Sequence, residues 1–118
     1  MKFDHIGIFV KNLEFGRENI SKIFDIKKSS DEFHDKSLKV SMQFFYDKSG
    51  IVYEIVAPFG KDNPVDKVLK KNTNILNHVA YKTNEFEKTI DKLRNMGCAP
   101  ITEAKKALAF NHAKVIFF

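Results

Sequence analysis

Residues 3–10, FDHIGIFV, are a run of β-branched and aromatic positions interrupted by Asp4, His5 and Gly7, which is the pattern of a strand. Over 13–24 the spacing changes: Leu13, Phe15, Ile20, Ile23 and Phe24 fall near one helical face, with Gly16 weakening it. A short strand is expected near Asp25–Lys28, followed by a polar loop and the strand run LKVSMQFFY at 38–46. DKSG at 47–50 signals a turn, so IVYEIVAP at 51–58 reads as the returning strand of a hairpin. Pro64 suits the first turn of a short helix, PVDKVLKKN.

The opening pattern then recurs. Residues 75–97, ILNHVAYKTNEFEKTIDKLRNMG, run strand, helix and glycine stop. Laid on the start of the chain, Leu76 falls on Phe3, Asn77 on Asp4, His78 on His5, Val79 on Ile6 and Ala80 on Gly7. CAPIT (98–102), KALAF (106–110) and AKVIFF (113–118) are the further short strand candidates. The plan is therefore an α+β domain spanning 1–118, with module one at 1–58, a linker helix in 59–74 and module two at 75–118. Each half is too small to bury its own sheet and would pack it against the other.

The polar residues inside these strands are the unusual ones. His5 shares a strand face with Phe3, Gly7 and Phe9, and His78 with Leu76, Ala80 and Lys82. Gly7 and Ala80, each two places after a histidine, leave room above the sheet. Glu54 stands between apolar neighbours in VYEIV, and a carboxylate is rarely buried without a partner. If DKSG is a four-residue loop, Tyr46 pairs with Ile51 and Gln43 lies directly opposite Glu54, whereas a one-residue slip separates them. Two histidines and a glutamate form a reasonable set for a catalytic divalent ion with positions open to substrate. A strand histidine is also a common hydrogen-bonded core residue, and a strand glutamate often points to solvent.

Composition narrows the partners. The 118 residues are 43% hydrophobic and 30% charged, ordinary for a globular domain, and the net charge is +5. The lysines are spread apart from the pairs 27–28, 70–71 and 105–106, and arginine occurs twice, which argues against a nucleic-acid footprint. A mildly positive surface suits a small anionic substrate instead. No run reaches the roughly 18–20 apolar residues of a membrane span, and the strand-like opening lacks the basic region and apolar core expected of a signal peptide. The lone Cys98 suits a reducing cytoplasm, the expected location.

Taken in order, FDHIGIFVKNLE, VYEIVAPFGKDNPVDKVLKKN, LNHVAYKTN and EAKKALAFNHAKVIFF resemble the vicinal oxygen chelate superfamily, and within it the methylmalonyl-CoA epimerase and glyoxalase I group. That resemblance implies two βαβββ modules whose curved sheets surround a metal-containing cleft. It implies metal ligation by His5, Glu54 and His78 and a divalent cofactor such as zinc, nickel, cobalt or manganese. The implied chemistry is that of a lyase or isomerase on a small acyl thioester, for instance a CoA-linked one, or a 2-oxo compound.

Two departures from the family pattern stand out. The family's fourth ligand, normally a glutamate on the last strand of the second module, has no counterpart, because the second module runs only to KVIFF; the nearest candidate, Glu103, lies before the preceding loop. The epimerases' carboxylate base falls near Ser37, with Asp35 two residues earlier as the substitute. A shortened enzyme, a site completed by a second chain as in a homodimer, and a non-catalytic small-molecule-binding relative are the alternatives. An open edge on a Phe-rich sheet also favours pairing of copies.

Overall fold

The computed structural model describes residues 1–118. The first half runs β1 (Lys2–Val10), α1 (Leu13–Ile23), β2 (Ile26–Ser29), β3 (Phe33–Asp35), β4 (Val40–Asp47) and β5 (Val52–Pro58). The helix α2 (Pro64–Leu69) leads to β6 (Asn74–Lys82), α3 (Phe86–Asn95), β7 (Lys105–Ala107), a 3-10 turn at Leu108–Phe110 and β8 (Ala113–Val115). Six strands form one mixed, curved sheet in the order β2-β4-β5-β1-β6, with β3 also on β4. β2 pairs with Phe45–Asp47 and β3 with Val40–Met42, so the two lie end to end and act as one broken strand.

The halves meet where β1 runs antiparallel to β6 and parallel to β5. One sheet face is covered by α1, through Val10, Leu13, Ile20, Phe45, Tyr53, Ile55 and Ala57. Burying a side chain such as Phe45 or Ile55 is worth about 1.5–3 kcal/mol. Asn12 caps α1 by accepting from the Phe15 amide. Gly16, which weakens the helix in isolation, lets α1 approach the sheet: a Cβ there would sit 2.9 Å from Val10 Cγ2 and 3.2 Å from Ile55 Cδ1. The opposite face holds Phe9, Val40, Met42 and Val56 against Val65 and Leu69 of α2. Asn63 starts α2 by accepting from the Asp66 amide, with Pro64 at the first helical position as its missing N–H allows.

The β4–β5 register corrects one sequence expectation. Tyr46 pairs with Val52, Phe44 with Glu54 and Gln43 with Ile55. Gly50 adopts a left-handed φ of +91° and closes a turn with its N–H on the Asp47 carbonyl, 3.2 Å away. The Asp47 N–H then donates to the Ile51 carbonyl at 3.0 Å, so Asp47, not Tyr46, faces Ile51 across a three-residue loop. Gln43 consequently lies on the helix-covered face, where its amide donates to the Ser30 carbonyl and accepts from Arg17. Glu54 lies on the other face.

The second half is sparer than its pattern suggested. CAPIT forms no strand, KALAF splits into β7 and the 3-10 turn, and only residues 113–115 of AKVIFF are extended strand. β7 and β8 pair only with each other and fold over the β1–β5–β6 face. Pro100 has no N–H to offer a ladder, and three-residue strands carry too little pairing to hold a register in the main sheet.

Candidate metal centre

The seam between the halves places two histidines side by side. Register fixes His5 opposite Ala80 and His78 opposite Gly7, so each imidazole stands over a small residue of the other strand. The fit is closest at Gly7, where any Cβ would collide with the His78 ring. Glu54 is the parallel-strand partner of Gly7 and rises on the same face. His5 Nε2 and His78 Nε2 lie 3.4 Å apart, and Glu54 Oε1 lies 3.6 and 3.5 Å from them. One ligand atom from each of the three residues falls within 4.8 Å of the others.

The rest of each imidazole is already engaged. His5 Nδ1 donates to Asp4 Oδ2 at 2.7 Å, and His78 Nδ1 donates to Asn77 Oδ1 at 2.9 Å. With the proton on Nδ1, both Nε2 lone pairs face the Glu54 carboxylate. Three acceptors turned toward one another repel unless a positive charge lies among them. A tetrahedral ion with bonds of about 2.1 Å keeps its ligand atoms about 3.4 Å apart, close to the observed spacing. The donor set therefore fits a divalent ion such as zinc, and three protein ligands leave room for another.

Without a metal, a proton supplies that charge. Burial opposes charge on His5, but the Glu54 and Asp4 carboxylates together outweigh it and raise its pKa above the ordinary imidazole value. Burial likewise opposes charge on Glu54, and its polar contacts with the His5 and His78 rings overcome that and lower its pKa.

Aromatic rings enclose the group. Phe110 stacks on His5 with centroids 5.6 Å apart, Phe44 meets His5 edge-on at 5.8 Å, and Phe117 meets His78 edge-on at 5.4 Å. His5 is 3% and Glu54 5% exposed. Asp35 is buried as well, but its carboxylate holds backbone: Oδ1 accepts from Leu38 N–H and Oδ2 from Leu108 N–H, both at 3.0 Å. It thereby ties β3 to the 3-10 turn that carries Phe110. A small apolar cavity of about 80 Å³ under α1, lined by Ile8, Ile20, Phe24 and Ile55 among others, belongs to the opposite face of the sheet.

His5, Glu54 and His78, picked out in the sequence, are thus brought together, while Gln43 and Asp35 have other partners. Asp4, Asn77, Phe110 and Phe117 were not singled out. The alignment of Asp4 with Asn77 was the available signal for the first two. Nothing in the sequence pattern marks the two phenylalanines, because their contacts depend on how β7 and β8 fold back.

Residues 4–117 match the sequence profile described as Glyoxalase/Bleomycin resistance protein/Dioxygenase superfamily. No curated protein sequence matches the chain. Among solved structures, methylmalonyl-CoA epimerase from Mycobacterium tuberculosis is similar with a TM-score of 0.81 and 17% identity, covering 98% of this chain and 76% of that one. A hypothetical protein from Bacillus halodurans has a TM-score of 0.82 and 22% identity, covering 98% and 81%. A Streptomyces coelicolor methylmalonyl-CoA epimerase variant in complex with 2-nitronate-propionyl-CoA has a TM-score of 0.66 and 20% identity, covering 89% and 78%. At these identities the likeness is one of fold.

Proposed function

The chain belongs to the glyoxalase/bleomycin resistance protein/dioxygenase superfamily, and on that premise we propose that it is a divalent-metal-dependent isomerase or lyase of the epimerase type. The substrate class is a small acyl thioester or 2-oxo compound, in keeping with the CoA-linked ligand of a structural neighbour. The observation that carries this reading is the convergence of His5 Nε2, His78 Nε2 and Glu54 Oε1, with both Nδ1 atoms already satisfied. His5, Glu54 and His78 would hold the ion. Bound there, the ion would polarise a carbonyl oxygen and so acidify the adjacent carbon. The phenylalanine walls would exclude water and strengthen each charge interaction inside. Glu54 is the carboxylate of the centre itself and would be the group to take or return the proton on the carbon beside the carbonyl.

The test is direct. Metal analysis after reconstitution with zinc, cobalt, nickel or manganese is expected to find about one ion per chain, abolished in a His5→Ala/His78→Ala variant. In deuterated water, NMR is expected to show exchange at the carbon next to a thioester carbonyl in the loaded protein. Absence of metal under all four reconstitutions overturns the reading.

One observation favours a second reading, a non-catalytic small-molecule-binding protein on the same fold. Both oxygens of Asp35, the substitute for the epimerase base, accept from backbone amides and hold the chain rather than face the centre. That reading predicts ligand-induced thermal stabilisation with no carbon–hydrogen exchange.

A further inference from the structure

In a regular strand, successive side chains point to opposite faces, so residues 4 and 5 or 77 and 78 should not touch. Both pairs do. The pairing of β1 with β6 slips twice: Phe3 opposes Tyr81 while His5 opposes Ala80, leaving Asp4 as an extra residue on β1. Further along, Gly7 opposes His78 while Ile8 opposes Leu76, leaving Asn77 extra on β6. A bulge re-aims the side chains around it. Here it turns each extra residue's oxygen onto the Nδ1 of the histidine that follows. The device occurs once in each half, at equivalent positions, and in both cases the ring nitrogen left over faces Glu54.

We propose that Asp4 and Asn77 are positioning residues of the metal centre, fixing both imidazoles as the Nδ1–H tautomer and aiming both Nε2 lone pairs at one point. This rests on the metal reading above for its purpose, but not for its geometry. The tautomer of a histidine is set by the hydrogen bond its other nitrogen makes, and loss of such a partner weakens metal sites. The two devices differ in charge. Asp4 is a carboxylate whose second oxygen lies 3.5 Å from Lys82 Nζ, whereas Asn77 offers a neutral amide oxygen.

Nitrogen-15 NMR of the metal-free protein, with the pH raised until both imidazoles are neutral, reads the tautomers directly. Wild type is expected to show Nδ1–H at both His5 and His78. Asp4→Ala is expected to release His5 alone and Asn77→Ala to release His78 alone. In parallel, zinc affinity measured by chelator competition should fall about 10- to 100-fold in each alanine variant. Asp4→Asn and Asn77→Asp keep an acceptor oxygen and should restore the tautomer and most of the affinity. Proton–nitrogen correlation spectra identify any variant that has lost its fold, and the two conservative variants then carry the comparison. Wild-type rings found as Nε2–H, or alanine variants with unchanged tautomers and zinc affinity, overturn the inference. A wild type that binds no zinc but shows the tautomer changes leaves the positioning role intact and removes the metal reading.

Discussion

At the scale of single residues, the site depends on what Gly7 lacks. Its hydrogen leaves the space that the His78 ring fills, and a methyl there would force the ring off Glu54. Gly7→Ala is therefore expected to lower zinc affinity at least about tenfold, by the same logic as loss of an orienting partner, with the fold retained. Isothermal titration against wild type, beside circular dichroism, checks it. The three candidate ligands were legible because charged or ionisable residues in apolar strand interiors are conspicuous and because the repeat placed His5 and His78 in register. Asp4 and Asn77 were visible as an aligned pair, but their role was not, since strand alternation turns them away from the histidines. Only the bulges bring them round, and bulges follow from pairing across seventy residues of intervening chain, which no local pattern encodes.

At the scale of elements, the β4–β5 hairpin shows how one turn residue decides which face a side chain occupies. Asp47 Oδ1 accepts from the Ser49 amide, the Ser49 hydroxyl and the Ile51 amide, and Oδ2 receives the Tyr53 hydroxyl at 3.3 Å. The Ser49 hydroxyl leads these bonds in lowering the Asp47 pKa, outweighing a smaller opposing effect of burial. A carboxylate whose folded pKa is depressed stabilises the turn above its unfolded pKa, about 3.9, and loses that contribution as pH falls through the lower folded value. An NMR titration of the Ser49 and Ile51 amides is expected to show a midpoint below about 3.9, and Asp47→Asn should abolish the transition. The sequence flagged this turn correctly and misjudged its length by one residue. That single residue moved Gln43 to the α1 face and put Phe44 beside Glu54. Helices were easier: α1, α2 and α3 all lie within their predicted segments, because spacing and end signals are local.

At the scale of the whole molecule, the repeat and the shortness of its second copy were legible, but the departure of that copy's short strands from the main sheet was not. β1 and β6 carry matching histidines, yet the first half continues into a full sheet while the second ends in the separate β7–β8 pair. β6 is left as an edge strand with Leu76, Val79 and Tyr81 exposed. No helix is long and apolar enough to cross a membrane. The β7–β8 segment is secured to the first half by Asp35, whose buried carboxylate receives the Leu108 amide. Asp35→Ala removes that acceptor and leaves two amides without their partner, at a cost of about 1–3 kcal/mol each where burial persists. Hydrogen exchange at Leu108 is expected to accelerate about tenfold or more in the variant, while amides in β4 and β5 remain protected. Unchanged protection at Leu108 would show that packing alone holds the segment.

The aromatic cover over His5 and His78 also has a kinetic meaning. If Phe110 and Phe117 must swing aside before an ion reaches Nε2, entry is gated, and filling is a first-order process set by how often the gate opens. Stopped-flow loading should then climb with ion concentration only to a ceiling, and cutting the Asp35 tether should lift that ceiling.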